Sequence, residues 1–323
     1  MVKSIHELND NEKKIFFESE LYKLVIKDFY FLPDALAYDK QYFGEQFKDH
    51  SLIVWDKKTP IICMVAHTKS SELCFYEWPL SVFHIEGRPD LVNLGYKELF
   101  GRITETAAQN HLETIRFFDN PFFLAKFFSR IQSVKTHFYS MIDLSLSEES
   151  IKANLRTSNK NNINWGQKNL RMICVDHDNP DKSLYDSFKA FHIRVSGRQT
   201  RSDTSWDLHF EMLRKKQGYL ILAYLNDELA SGTLILHGTQ TAYYGVTVND
   251  RDLMAKKMPV GYYPILYAIY HAKKIGLRKF HMNKVNLDSD DTKLRNLAIF
   301  KEGFTKTLET RNVFVAGFSE SDR

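Results

Sequence analysis

The feature that most constrains this chain is that it repeats itself. SLIVWDKKTPIICMVAH followed by LCFYEW in the first half has a counterpart in YLILAYLNDELASGTLILH followed by TAYYGV, roughly 170 residues later. His67 falls on His237 and Phe75-Tyr76 on Tyr243-Tyr244. The helix ends Ala107 to Leu112 and Ala272 to Leu277 also correspond. Each half reads as three antiparallel strands, helix, strand, helix, strand. Two large units exclude a solenoid, which stacks many short ones. The pattern predicts an α/β (α+β) chain of two tandem domains, each a mixed, largely antiparallel sheet flanked by helices. The domains are expected at 1–144 and 145–323. No Gly/Pro-rich linker separates them, so they are expected to pack as one body.

Local signals place the elements. Ser4 and Glu7 have capping-box spacing ahead of a helix expected over about 4–28. Alternating apolar runs predict strands at 51–56, 61–67 and 73–78, with a turn at Lys57 to Pro60. Pro89-Asp90 opens a helix to about Asn110, and Ser145 with Glu148 caps a basic helix running to about Leu170. Two helices are expected between 181 and 217, and Asn226-Asp227 marks a hairpin turn. A helix follows Pro259-Val260-Gly261 and is closed by Gly276; KFHMN is a strand, and 291–302 a helix.

Composition removes several classes. Apolar residues make up 43% of the 323 and aromatics 14%, enough for a packed core and too much for disorder. No run approaches the ~20 apolar residues of a membrane span. The N-terminus, MVKSIHELNDNEKKIFF, has no apolar stretch of a secretory signal. Cys63, Cys74 and Cys174 make no CxxC pair, and Cys63 and Cys74 sit in apolar runs as expected of buried thiols. A reducing, cytoplasmic setting follows as the expectation. The net charge of +4 is too mild for a dedicated DNA-binding surface, and fits a protein that holds a phosphate-bearing ligand.

The repeated order, with a crossover after the third strand, resembles the GNAT acyltransferase fold. Two such halves are similar to the Fem peptidoglycan aminoacyltransferases and related FemAB-like N-acyltransferases. Three stretches carry the likeness: FYFLPDALAYDK; LSLSEESIKANLRTSNKNNINWGQKN between the halves; and GYLILAYLNDELASGTLILHGTQTAYYGVTVND with GYYPILYAIYHAKKIGLRKFHMN and FKEGF. The resemblance implies transfer of an activated acyl group to an amine. The donor is acetyl-CoA or another acyl-CoA in one branch of the family and aminoacyl-tRNA in the other. The family's phosphate motif, Gln/Arg-x-x-Gly-x-Gly/Ala, aligns here with Lys256-x-x-Pro259-x-Gly261 and departs from it at two of three positions.

Within this frame four groups of residues are candidates. Thr247 and Val248 end a strand, and Lys256, Lys257, Val260, Gly261 and Tyr262 surround a helix start, where free amides and the helix dipole suit a pyrophosphate. The strand carrying Tyr243 and Tyr244 would flank the acyl carbonyl, with Gly245 allowing a bulge or close approach. His192, Arg194, Arg198 and Arg201 crowd one helix end and could clamp a carboxylate or phosphate. His281 and Glu77 are candidate bases for deprotonating the amine. The first half, whose matching loop Ser81 to Asp90 carries only Gly87-Arg88, is expected to be degenerate and structural or acceptor-binding.

Two other functions stay open: an aminoacyl-tRNA-dependent transferase of the Fem type, and a non-catalytic binding protein that kept the fold. No GxGxxG, P-loop, HExxH or GxSxG motif occurs, and no zinc-ligand spacing is visible, so no metal is expected.

Overall fold

The computed structural model describes residues 1–44, 47–287 and 289–319. The chain forms two compact units that interleave in sequence. Met1–Ile26, Phe43–His137 and Arg311–Arg323 make the first, and Lys27–Tyr42 with Phe138–Thr310 the second. The single cut expected at 144/145 is replaced by four crossings. Strand pairing is the reason: Val313 to Gly317, near the end of the sequence, pair antiparallel with Thr114 to Phe118 of the first unit. Thr136 and Asn312 are likewise hydrogen-bonded within that unit, at 2.9 Å.

In the first unit, Leu52–Asp56 and Thr59–Val65 form the expected hairpin. Val2–Ser4 and Ser81–His84 complete a four-stranded antiparallel sheet around it. The stretch Ser81–His84 is therefore a strand, not the loop that the repeat suggested. Glu72–Cys74 lies parallel to Thr114–Phe118 and antiparallel to His67–Lys69. The predicted strand 73–78 stops early because Tyr76 turns left-handed (φ 49°) and Phe75 pairs back onto Trp78. The helix Pro89–Gln109 presses Tyr96, Leu99 and Ile103 into a core with Ile62, Leu73, Ile115 and Phe117. The helix expected over 4–28 is broken into Asp10–Glu18 and Glu20–Val25. Asn9 and Ser19 are better caps than interior residues, and each accepts a backbone N–H of the turn that follows.

The second unit is built on one sheet. Its order is Arg171–Val175, Gly218–Leu225, Glu228–His237, Thr241–Asn249, Lys279–Val285 and the end of Ile131–Asp143. All neighbours are antiparallel except Thr241–Asn249 and Lys279–Val285, which run parallel. The Asn226-Asp227 turn has φ of 50° and 64°, the left-handed pair that a two-residue hairpin needs. Lys182–Ser196 is capped by Asp181 and ended by Gly197 at φ 69°. Asp203–Arg214 is capped by Ser202, and Thr292–Glu302 by Asp291. Tyr262–Lys274 packs Ile265, Leu266 and Ile269 onto Tyr219, Ile221 and Ile235. The basic helix between the halves starts at Ser147, not Ser145, and is interrupted at Leu155 before resuming over Thr157–Asn169. Among the described residues no helix is long and apolar enough to cross a membrane.

Candidate active site

The parallel pair at the centre of the second unit is held together over only three residues. Thr241, Ala242 and Tyr243 face Lys279, Phe280 and His281. Both strands then lose register with their outer neighbours. Against Glu228–His237 the shift falls between Leu234 and Ile235, which leaves Gly245 as the extra residue of a bulge. Against Ile131–Asp143 it falls between His281 and Lys284. The two strands open into a notch at this level. Gly245 is exposed there, and a Cβ at that position would lie 2.7 Å from the Leu234 carbonyl oxygen.

Asn283 sits at the bulge of the second strand with φ 64°. Its side-chain amide donates to the Tyr244 carbonyl at 2.5 Å, and its backbone N–H donates to Nδ1 of His281 at 2.9 Å. Its side-chain oxygen accepts from the Tyr30 hydroxyl at 3.3 Å. Rings line the notch below. Tyr243 is buried and lies 4.8 Å from Tyr30, 5.1 Å from Phe29 and 4.9 Å from His281. Tyr139 lies 5.2 Å from His281 on its other side.

Loss of water perturbs several ionisable groups of this unit, Asp39 and Lys301 among them. Burial pushes the Asp39 carboxyl up to about 7, and its charge is one of those that hold the Tyr30 hydroxyl protonated, after burial itself. Burial pulls Lys301 down to about 8; its ammonium donates to the Lys284 carbonyl at 2.9 Å. Neither residue was a candidate from the sequence. Asp39 and Tyr30 fall within FYFLPDALAYDK, and Lys301 within FKEGF, so the stretches were visible but the residues within them were not.

The sequence-derived candidates are scattered. The helix Tyr262–Lys274 starts where expected, with Gly261 at its N-cap. Gly261 is buried, however, and a Cβ there would lie 2.7 Å from the Asn249 side-chain nitrogen. Val260 is fully buried in an apolar cluster with Leu170, Ala223 and Ala230. The Tyr262 N–H is turned to the Pro259 carbonyl, and Pro264 has no N–H to give. The Gly261 α-carbon is thus packed against Asn249, with Val260 in the core. Lys256 and Lys257 are exposed, Thr247 is half-buried and Val248 buried.

The arginine set does not converge. Arg194 reaches toward Asp250 at 3.9 Å, and Arg198 is exposed. Arg201 donates to the Tyr38 hydroxyl at 3.0 Å and stacks over Trp206. His192 is buried against Trp206 and held neutral, first by burial and then by Arg201. Of the four, His192 and Arg201 pack on Trp206, while Arg194 and Arg198 point to other surroundings. Glu77 belongs to the first unit, in the turn after the strand, where it pairs with Lys69. Tyr244 packs into the core beside the helix Tyr262–Lys274, while Tyr243 faces the notch. Of the named candidates, the notch brings together Tyr243, His281 and the backbone of Tyr244 and Gly245.

No family model and no curated protein matches this sequence. Solved structures do match it along nearly its whole length. FemX superposes with a TM-score of 0.65 at 11% identity, over 94% of this chain and 96% of that one. The C-terminal domain of a putative lysylphosphatidylglycerol synthetase from Agrobacterium fabrum gives 0.61 at 10% identity, over 97% and 95%. L-PGS from Bacillus licheniformis gives 0.55 at 12%, over 90% and 92%. The fold is thus the mixed α/β, GNAT-like class expected from the internal repeat. At these identities the likeness is one of fold, shared with FemX and the lysylphosphatidylglycerol synthetase domain.

Proposed function

We propose that this protein transfers an activated acyl group to an amine, and that the acyl carbonyl sits in the notch beside Gly245. The single observation that carries this reading is the exposed bulge at Gly245, at the mouth of two parallel strands that separate after three paired residues. A bulge of this kind frees backbone N–H groups from the ladder. Such fixed donors stabilise the negative charge that grows on a carbonyl oxygen under attack. The amine nitrogen forms the new C–N bond, the thiolate or ribose oxygen of the donor leaves, and the nitrogen gives up a proton. With its carboxyl at about 7, Asp39 is suited to hold that proton near neutral pH.

Two donors are compatible with the notch. An acyl-CoA is the first, with an amino sugar, amino acid or peptide as the acceptor. The second is an aminoacyl-tRNA, favoured by the departure of Lys256-x-x-Pro259-x-Gly261 from the coenzyme A phosphate motif and by the N–H that Pro259 lacks.

Thermal denaturation separates the readings, because a ligand of the native state at 100 times its Kd adds about 2.7 kcal/mol. A rise in Tm with acetyl-CoA supports the thioester donor. A rise only with aminoacyl-tRNA, lost on RNase treatment, supports the second. No rise with either, and no acyl transfer to an amine panel, refutes the transferase and leaves a binding protein.

A further inference from the structure

Two side chains from one strand end and one from a helix nearly a hundred residues later meet beside a pocket of the second unit. Cys174 is the penultimate residue of the strand Arg171–Val175, and Asp176 follows the strand directly, two residues on, with its carboxylate beside the Cys174 sulfur. His271 reaches them from the helix Tyr262–Lys274. The Cys174 sulfur lies 3.7 Å from Oδ2 of Asp176 and 3.8 Å from Nε2 of His271, and those last two atoms are 3.5 Å apart. Metal–ligand bonds of about 2.3 Å to sulfur and about 2.0–2.2 Å to nitrogen and oxygen, at tetrahedral angles, place donor atoms roughly 3.3–3.6 Å from one another. The triangle observed is close to one face of that tetrahedron.

The surroundings hold the donors in place. Oδ1 of Asp176 accepts the backbone N–H groups of Asp178 and Asn179, at 3.0 and 3.1 Å, which aims Oδ2 at the cysteine and histidine. The Tyr219 ring lies 4.5 Å from the His271 ring, and the Tyr219 hydroxyl is tied to the Ala268 carbonyl at 2.6 Å. Fixing the ligands from outside is how a protein prepares a metal position before the ion arrives. Asp176 and His271 also line a pocket of about 520 Å³, together with His177 and His237.

We propose that Cys174, Asp176 and His271 form a binding site for a divalent cation of the zinc class, with its fourth position open to this pocket. Three protein ligands plus one open position is the pattern of a zinc centre that exchanges water or takes a ligand. On binding, the sulfur–metal bond replaces the sulfur–hydrogen bond, and the thiol proton leaves to solvent. A donor set of one thiolate, one imidazole and one carboxylate selects zinc or cobalt over calcium and magnesium, which prefer oxygen alone. The site is independent of the acyl-transfer reading and does not depend on which donor is used.

Cobalt(II) provides a direct test on the full-length wild-type chain. Titration should saturate at one ion per chain and give a thiolate-to-cobalt charge-transfer band with intense tetrahedral visible bands, and zinc should displace it. Cys174→Ser should abolish the charge-transfer band. His271→Gln and Asp176→Asn should weaken zinc binding by ~10-fold or more, since even outer-shell changes cost that much. The exposed His6→Gln control should leave binding unchanged. Absence of the charge-transfer band in the wild-type chain overturns the proposal, whatever the variants do. Undiminished zinc affinity in folded Cys174→Ser and His271→Gln overturns it equally.

Discussion

The side-chain amide of Asn283 donates to the main-chain carbonyl of Tyr244 at 2.5 Å, so one residue bridges two parallel strands at the point where their own pairing has ended. The bridge depends on the backbone of Asn283 being left-handed, at φ 64°. Asparagine tolerates that region better than alanine, which loses about 1–2 kcal/mol there. Asn283→Ala should therefore lose both the hydrogen bond, worth about 1 kcal/mol, and the backbone preference. Asn283→Gly should lose the bond but keep the conformation. Urea denaturation should rank wild type above both, with Asn283→Ala and Asn283→Gly separated by the strain rather than by the bond.

The bridge also marks where the sequence became unreadable. Hairpins, caps and the helix after Pro259 were legible because each is set by residues within a few positions: the Asn226-Asp227 turn, Gly197 and Gly276 at φ 69° and 87°, and the continuous apolar run Tyr219 to Ala223, buried throughout. The tandem repeat gave the fold class for the same reason. The notch was only partly legible. Gly245 stood out as a glycine inside a strand, but Tyr30, Asp39, Asn283 and Lys301 come from distant segments, and their roles rest on burial that no local pattern reports. The surroundings of Gly261 were hidden for the same reason: the helix start was legible, but the Asn249 side chain that packs on the glycine lies on another element. Interleaving of the two units was hidden likewise, because the C-terminal strand gives no sign of which strand it will join.

Gly245 offers a sharper test of the proposed chemistry. A side chain at this position must displace the Leu234 carbonyl, 2.7 Å from the ideal Cβ, and so must deform the bulge. Gly245→Val should reduce turnover by about 100-fold, the scale set by losing one oxyanion donor, while KM for the acceptor changes less. Steady-state kinetics with the donor identified by thermal shift would measure this. Turnover retained in a folded Gly245→Val chain would remove the bulge from the mechanism.

Packing between the helices Thr157–Asn169 and Tyr262–Lys274 makes a prediction about stability alone. Gly166 faces Tyr263 so closely that an added Cβ would lie 2.5 Å from the tyrosine Cβ. That atom is anchored to backbone and cannot rotate away. Gly166→Ala should therefore destabilise the protein by about 1–3 kcal/mol, despite alanine's better helix propensity. The midpoint of chemical denaturation checks it, and a stabilised variant would mean that the two helices separate at little cost.

Lys301 gives the alkaline limb of stability a sign. Burial makes its ammonium give up its proton at about 8 in the folded chain, against the ordinary 10.5. Between those values the unfolded chain holds more protons, so stability should rise as pH rises across the window. The full cost of the buried charge, up to roughly 3 kcal/mol, is present below pH 8. Lys301→Met should flatten the rise from pH 8 to 10.5, measured as the denaturation midpoint at each pH. A slope that survives in the variant would assign it to another group.

Asp39 acts in the opposite sense. Its folded carboxyl sits at about 7, above the ordinary 3.8, so the neutral form suits the folded state. The contribution is complete below pH 3.8 and is lost as pH rises through about 7. Asp39→Asn fixes the neutral form, and should leave stability unchanged at low pH while raising it above neutrality. The same substitution should remove the limb of the rate profile that rises through about 7, because the proton acceptor is gone. The two readouts are separable. A stability gain with an unaltered rate profile would keep Asp39 as a buried carboxyl and exclude it as the base. A lost limb with the stability gain would tie the ionisation seen in folding to the step that takes the proton from the amine.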